Sequence, residues 1–175
     1  MNNVGKAIAG VGFKIGAVGA AITAPLIGAI NKASEAQEVF SKFDAVFGDQ
    51  SAAIKEWGDT FASQVGRSKV EIAKSAASLQ DLFVPLGLST EKATELSKSL
   101  VELSVDLGSF NNVADADVMR DLQSAMTGSS ETMKKYGVVV DAAAVKQELL
   151  NMKMDPAAAT NAQKVMARFN IIMDK

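Results

Sequence analysis

The sequence contains no cysteine and no histidine among its 175 residues. Disulfide bonds, thiolate chemistry, zinc sites of the usual kind and histidine general bases are therefore excluded. An excess of charge of one sign is also lacking, since 18 basic and 20 acidic residues leave a net charge of −2 and the basic residues are scattered. Neutralising nucleic-acid phosphates needs a concentrated basic face. The composition thus predicts no specific nucleic-acid binding.

What the sequence does have is enough apolar material for a folded domain, with 48% hydrophobic and 22% charged residues. Its composition changes near residues 31–34, which separates an apolar, Gly- and Ala-rich segment, 1–33, from a mixed segment, 34–175. Beyond this boundary apolar residues recur at steps of three and four, the period of an amphipathic helix. We therefore expect an all-α fold, in which an N-terminal apolar helix precedes a bundle of several helices joined by short turns.

Glycines mark most of the expected helix ends. Gly48, Gly66, Gly108 and Gly128 each follow an apolar helical pattern, and glycine is the commonest residue just past a helix. The three consecutive valines at 138–140 are too few to found a sheet.

Several helix starts are also expected. The pattern S-x-x-E at Ser68–Glu71 is that of a capping box, and Asp115 and Asp141 are suitable N-cap residues. Asp155 followed by Pro156 predicts a further helix start, because proline is favoured at the first helical position.

The most regular apolar pattern lies in the middle of the chain. It alternates steps of three and four, as the a and d positions of a packed helical seam do: Ala93, Leu96, Leu100, Leu103 and Leu107. Such a seam fits a dimer, a trimer or an intramolecular bundle equally well.

The N-terminal segment carries a small residue at every fourth position: Gly12, Gly16, Ala20, Ala24 and Gly28. Small residues at this spacing allow two backbones to approach closely, as in pairs of membrane helices. The uncharged run from Ile15 to Ile30 is 16 residues long, whereas a spanning helix needs about 20. We expect a packing helix somewhat more than a membrane helix. Cleavage as a signal peptide is not expected, because Lys14 and Pro25 interrupt the apolar region.

A search for reactive groups finds no active site. The glycines near the N-terminus do not form a phosphate-binding loop. Asp115, Asp117 and Asp121 resemble a cation cluster, but a negatively charged helix start is the better interpretation. Ser130 and Lys134 lie one turn apart, a spacing that chance gives in most helices. The sequence predicts that the chain is not an enzyme and has no cofactor, metal site or small-molecule substrate.

Several strings resemble one family in the same order along the chain. The most telling are "SVDLGSFNNV" at 104–113 and "SAMTGSSETMKKYGVVV" at 124–140, and the closing "AQKVMARFNIIM" also fits. Together with further strings they cover about residues 33–175 and are similar to the N-terminal part of tail tape measure proteins of tailed phages. The residues that stand where the family pattern has them are Leu107, Phe110, Asn111, Gly128, Lys135, Tyr136 and Gly137.

The resemblance implies a structural role in the virion. Such proteins lie in the lumen of the growing tail tube, help to set its length, and leave ahead of the DNA at infection. It also implies synthesis in the bacterial cytoplasm, contacts with the tail tube protein and with tail-tip or baseplate proteins, self-association, and contact with the host membrane at infection. Family members are much longer, so we expect this chain to be a fragment, a folded module beside the ruler segment, or a remnant of a tail gene.

Two other function classes are weaker. Residues 4–30 alone suggest a membrane-active helical protein, such as a pore former or holin-like factor. An enzyme, for example a cell-wall hydrolase, has no supporting residues.

Overall fold

The structure, a computed structural model, describes residues 23–174 and the side chains of residues 33–174. This part of the chain is all-α and has no strand, as the periodicity predicts. Its seven α-helices are α1 (Thr23–Phe47), α2 (Ser51–Val65), α3 (Lys69–Phe83), α4 (Thr90–Asn111), α5 (Asp115–Thr127), α6 (Ala142–Asn151) and α7 (Asn161–Met173). Two 3-10 turns, Gly48–Gln50 and Glu131–Tyr136, lie between α1 and α2 and between α5 and α6.

The chain forms two compact units, Met1–Glu38 and Val39–Lys175. Helix α1 continues through the change of composition at residues 31–34. Of the N-terminal small residues, Ala24 and Gly28 lie in α1, whereas Gly12, Gly16 and Ala20 lie outside the described residues. Within the described part of the chain, no helix combines the length and the apolar content that crossing a bilayer requires.

Helix α4 is the centre of the second unit. Helices α3 and α5 both pack along it, α2 packs on α3, α7 on α5, and α6 on α7. The core is built mainly from apolar side chains of α1 to α5 and of α7, and from Met133, Val138 and Val140 after α5. The largest apolar side chains that are fully buried are Phe43, Phe47, Phe83, Leu79, Leu96, Leu100, Leu122, Met126, Met133 and Leu149.

The predicted helix ends at Gly48, Gly66 and Gly128 are confirmed. Gly66 caps α2 with φ +66° and Gly128 caps α5 with φ +110°, backbone conformations that other residues adopt only with strain. The predicted start at Asp141 is confirmed as well, because its side chain accepts a hydrogen bond from the backbone N–H of Ala144 at 2.8 Å.

The prediction that Gly108 ends a helix is wrong. Helix α4 continues to Asn111 and is capped by Asn112, whose φ is +53°. Gly108 is buried inside the helix, where a Cβ would overlap the carboxylate of Asp115 and lie 3.0 Å from the carbonyl oxygen of Val113. Because Gly108 has no side chain, the chain entering α5 can pass close to it. The glycine does not form a turn.

One predicted capping box and two predicted helix starts also need correction. Ser68 is the N-cap of α3, but its side chain makes no capping hydrogen bond, so the capping box is absent. Ala114 is the N-cap of α5, and Asp115 is its first helical residue. No helix starts at Asp155–Pro156, because the Asp155 carboxylate accepts a bond from the N–H of Ala157 and the chain makes a turn there.

The last helix starts later instead, at the Thr160 N-cap. Here both halves of a capping box are present between Thr160 and Gln163.

Candidate functional site

The predicted seam is buried only over its first half. Ala93, Leu96 and Leu100 are buried, whereas Leu103 and Leu107 are only partly buried. A strict seven-residue repeat drifts by about 20° per heptad around a straight α-helix. The buried face of α4 therefore moves to Val101, Ser104 and Val105, and the apolar seam turns towards the surface.

Phe110 takes the next step of three along this seam and is 89% exposed. The next most exposed large apolar side chains in the described residues are only 49% exposed. The backbone around Phe110 is fixed, because Asn111 donates a hydrogen bond to the carbonyl of Leu107 and Ser109 accepts one from Arg67 at 3.2 Å. Because aromatic side chains are enriched at protein interfaces, the exposed ring of Phe110 is a candidate contact for a partner.

Arg67 joins the turn after α2 to the start of α5. Its guanidinium donates two hydrogen bonds to Asp115, from Nε to Oδ2 at 2.5 Å and from Nη2 to Oδ1 at 3.3 Å. This pair raises the pKa of Arg67, first through the hydrogen bond and then through the charge of Asp115. Arg67 therefore links the start of α5 to Ser109 in the last turn of α4.

The other two acidic residues of the suspected cation cluster have partners of their own. Asp117 pairs with Arg120 at 3.1 Å, and Asp121 pairs with Lys135 at 2.6 Å. No group of three or more acidic side chains within the described residues could hold a metal ion.

Residues 124–140 are joined to α5 by a side-chain hydrogen bond and an ion pair. The hydroxyl of Tyr136 donates to Asp121 at 2.8 Å, and Lys135 pairs with the same carboxylate. Burial alone would raise the pKa of Asp121, but the hydrogen bonds from Lys135 and Tyr136 outweigh it, and the pKa is lowered. Burial, and then the bond to Asp121, raises the pKa of Tyr136. Lys135, Tyr136 and the glycine turns at 128 and 137 therefore shape this segment.

Ser130 and Lys134 form no dyad. The hydroxyl of Ser130 donates to the carbonyl of Val140, and Lys134 pairs with Glu131 at 2.7 Å. Trp57 is half-buried, stacks on Phe61, and donates its indole N–H to Glu102 at 3.0 Å.

A second surface feature is a cleft between α3, α4 and α5, with a volume of about 610 Å³. Its floor is apolar and includes Ile72, Val101 and Met119, and its rim carries Lys74 and Arg120. The Arg67–Asp115 pair lies at one end.

Sequence reasoning did not single out Arg67 or the cleft, since both depend on contacts between residues about 40 positions apart. The exposure of Phe110 could not be predicted either, because Phe110 extends the steps of three and four beyond Leu107 as a core residue would. No family model, no curated protein and no solved structure matches the chain.

Proposed function

We propose that the chain is a structural module of a phage tail tape measure protein, which assists tail assembly through contacts with tail proteins. The observation that carries the proposal is the ordered agreement of separate strings over residues 33–175 with that family. The all-α architecture supports it, since the family implies helices. The exposed Phe110 supports it too, because it lies within the best-matching string and offers a contact to a partner.

Within that role, the module lies beside the ruler segment and does not measure length itself. A ruler must be extended, and each helical residue adds about 1.5 Å. Here the longest helix in the second unit, α4, has 22 residues, and its neighbours pack against it side by side. We infer that this part of the chain binds other tail components while another segment sets the length.

Gene disruption in the phage or prophage that encodes the chain tests this role. An early stop codon should yield heads without normal tails, seen by electron microscopy of induced lysates, and the intact gene in trans should restore them. Tails of normal number and length without the gene product would overturn the proposal.

A binding experiment then tests the partner. The chain is co-expressed with the tail tube protein encoded in the same gene cluster, and the complex is isolated through a tag on the tube protein. Phe110→Asp should reduce recovery of the chain at least fivefold without lowering its unfolding temperature. Leu150→Asp, at an exposed leucine of α6, is the matched control and should bind like the unaltered chain. Equal recovery of both variants would show that Phe110 does not contribute to the interface.

Membrane entry is a second candidate, favoured by the 16 uncharged residues from Ile15 to Ile30. Flotation with liposomes tests it, using the whole chain beside a shortened chain that begins at Ser34. Lipid binding by the whole chain alone would support a role in genome delivery. A whole chain that only self-associates and does not float would favour a packing helix in tail assembly.

A further inference from the structure

We propose that the cleft between α3, α4 and α5 binds a small amphiphile with one apolar chain and one anionic headgroup. This site is independent of the tail role, and its evidence lies in the shape, the lining and the charges of the cleft.

The floor of the cleft suits an apolar chain. Ile72, Val101, Val105 and Met119 lie beneath it as buried side chains, and the exposed lining of the cleft is more apolar than polar. Small side chains in the walls, such as that of Ser75, leave the space above the floor open. The volume of about 610 Å³ lies within the roughly 300–1,000 Å³ typical of small-molecule sites.

Both ends of the cleft are bounded by side-chain bonds between its two walls. At one end Arg67 binds Asp115, and at the other Gln123 donates from Nε2 to the hydroxyl of Ser78 at 2.8 Å. Along α5, residues 115 and 123 are about 12 Å apart at roughly 1.5 Å per residue. A cleft of this length, bounded at both ends, favours a short occupant over a partner helix, which needs a groove open at its ends.

The rim favours an anionic headgroup. Lys74 lies on the α3 side and makes no ion pair within the described part of the chain, and Arg120 lies on the α5 side with its side chain 72% exposed. Glu71 is the acidic residue on the α3 side, and it interacts with Arg67 at the end of the cleft. Arg120 is paired with Asp117, so the unpaired positive charge at the mouth is that of Lys74.

Titration of the ¹⁵N-labelled full chain with decanoate, followed by NMR, tests the site. We expect saturable shifts confined to amides of α3, α4 and α5 around the cleft. Ser104→Leu, which fills the floor, should weaken binding at least tenfold. Ser75→Leu, in the wall, provides a second filled cleft should the buried Ser104 variant fail to fold, and circular dichroism checks both.

Charge variants test the headgroup. Lys74→Glu combined with Arg120→Glu should weaken decanoate binding at least fivefold and leave decanol binding unchanged. Lys146→Glu combined with Lys153→Glu makes the same change in net charge at exposed positions away from the cleft, and should have no effect.

Four outcomes would overturn the proposal: no saturable shift, shifts spread over other faces, filled-cleft variants that bind like the unaltered chain, or decanol binding as tightly as decanoate. Binding to phosphatidylglycerol vesicles without saturable decanoate binding would also overturn it, since lipid contact would then belong to another part of the chain.

Discussion

Gly108 lies inside α4, where the chain entering α5 passes close to it. We predict that Gly108→Ala lowers the free energy of unfolding by about 2 kcal/mol, because overpacking of this kind costs roughly 1–3 kcal/mol. Gly58→Ala in α2 is the matched control, since its Cβ would meet Ile72 at an ordinary contact distance of 3.5 Å. That change should stabilise by about 0.5–1 kcal/mol, because alanine is the better helix former. Urea unfolding of both variants measures the difference, and a stabilising Gly108→Ala would contradict this account.

Asp121 makes folding sensitive to acid. Its pKa in the folded chain lies below the ordinary value of 3.8, so the carboxylate stabilises the fold above about pH 4. That contribution is lost as the pH falls through the lowered pKa. Asp121→Asn should therefore cost about 1–3 kcal/mol at pH 7, the range for losing bonds to a charged group.

The difference between Asp121→Asn and the unaltered chain should shrink between pH 4 and pH 2, measured by urea unfolding at each pH. Asp106→Asn removes an exposed carboxylate that has no ion pair among the described residues, and it serves as control. A difference that stays constant down to pH 2 would contradict the role given to Asp121.

These residues show what one-dimensional patterns can predict. Gly66 and Gly128 were predictable as helix ends, because a positive φ at the end of an apolar pattern is a local property. Gly108 follows the same pattern but serves a contact with another helix, and nothing in its neighbourhood along the chain distinguishes the two uses. Phe110 continues an apolar pattern as a core residue would, although it is exposed.

At the scale of the element, two N-caps with similar sequences differ in structure. The side chain of Thr160 accepts a bond from the N–H of Gln163 at 3.2 Å, whereas that of Ser68 accepts none at the start of α3. We predict that Thr160→Ala destabilises the chain by about 1 kcal/mol, the usual cost of losing an N-cap. Ser68→Ala should change stability by much less, and thermal unfolding compares the two. Equal losses would show that Ser68 does cap α3 in solution.

Helix positions were predictable to within a few residues wherever the period of 3.6 was strong, as in α2, α3 and α4. The region before α7 was not, since Asp155–Pro156 has the composition of a helix start and forms a turn. Competition between two nearby start signals, of which Thr160–Gln163 prevails, cannot be decided from propensity alone.

For the whole molecule, the order of packing predicts where the structure opens first. Helix α6 packs on α7, and Leu149 is its one buried residue, whereas α4 contributes nine buried residues and packs on both α3 and α5. Local stability follows buried contacts. We predict that amides of α6 exchange with solvent at least tenfold faster than those in the middle of α4, measured by native-state hydrogen exchange. Equal protection would show that α6 and α4 open together.

The all-α class followed from composition and periodicity, and the structure confirms it for residues 23–174. The cleft could not be predicted, because it exists only where α3 and α5 lie on the same side of α4 with small side chains between them. Self-association through the seam of α4 stays a prediction. The first half of the seam is buried in the core of a single chain and is therefore not exposed to another copy.

The one tryptophan of the chain provides a natural optical reporter. The indole of Trp57, on α2, is half-buried, bonded to Glu102 of α4, and has the ammonium of Lys98 5.2 Å from its centre. The fluorescence emission of Trp57 therefore depends on how α2 packs against α4. It should shift to longer wavelength when the two helices separate. Because the chain has no cysteine, a single introduced thiol could carry an acceptor dye, and energy transfer from Trp57 would follow the motion of any chosen helix without background labelling.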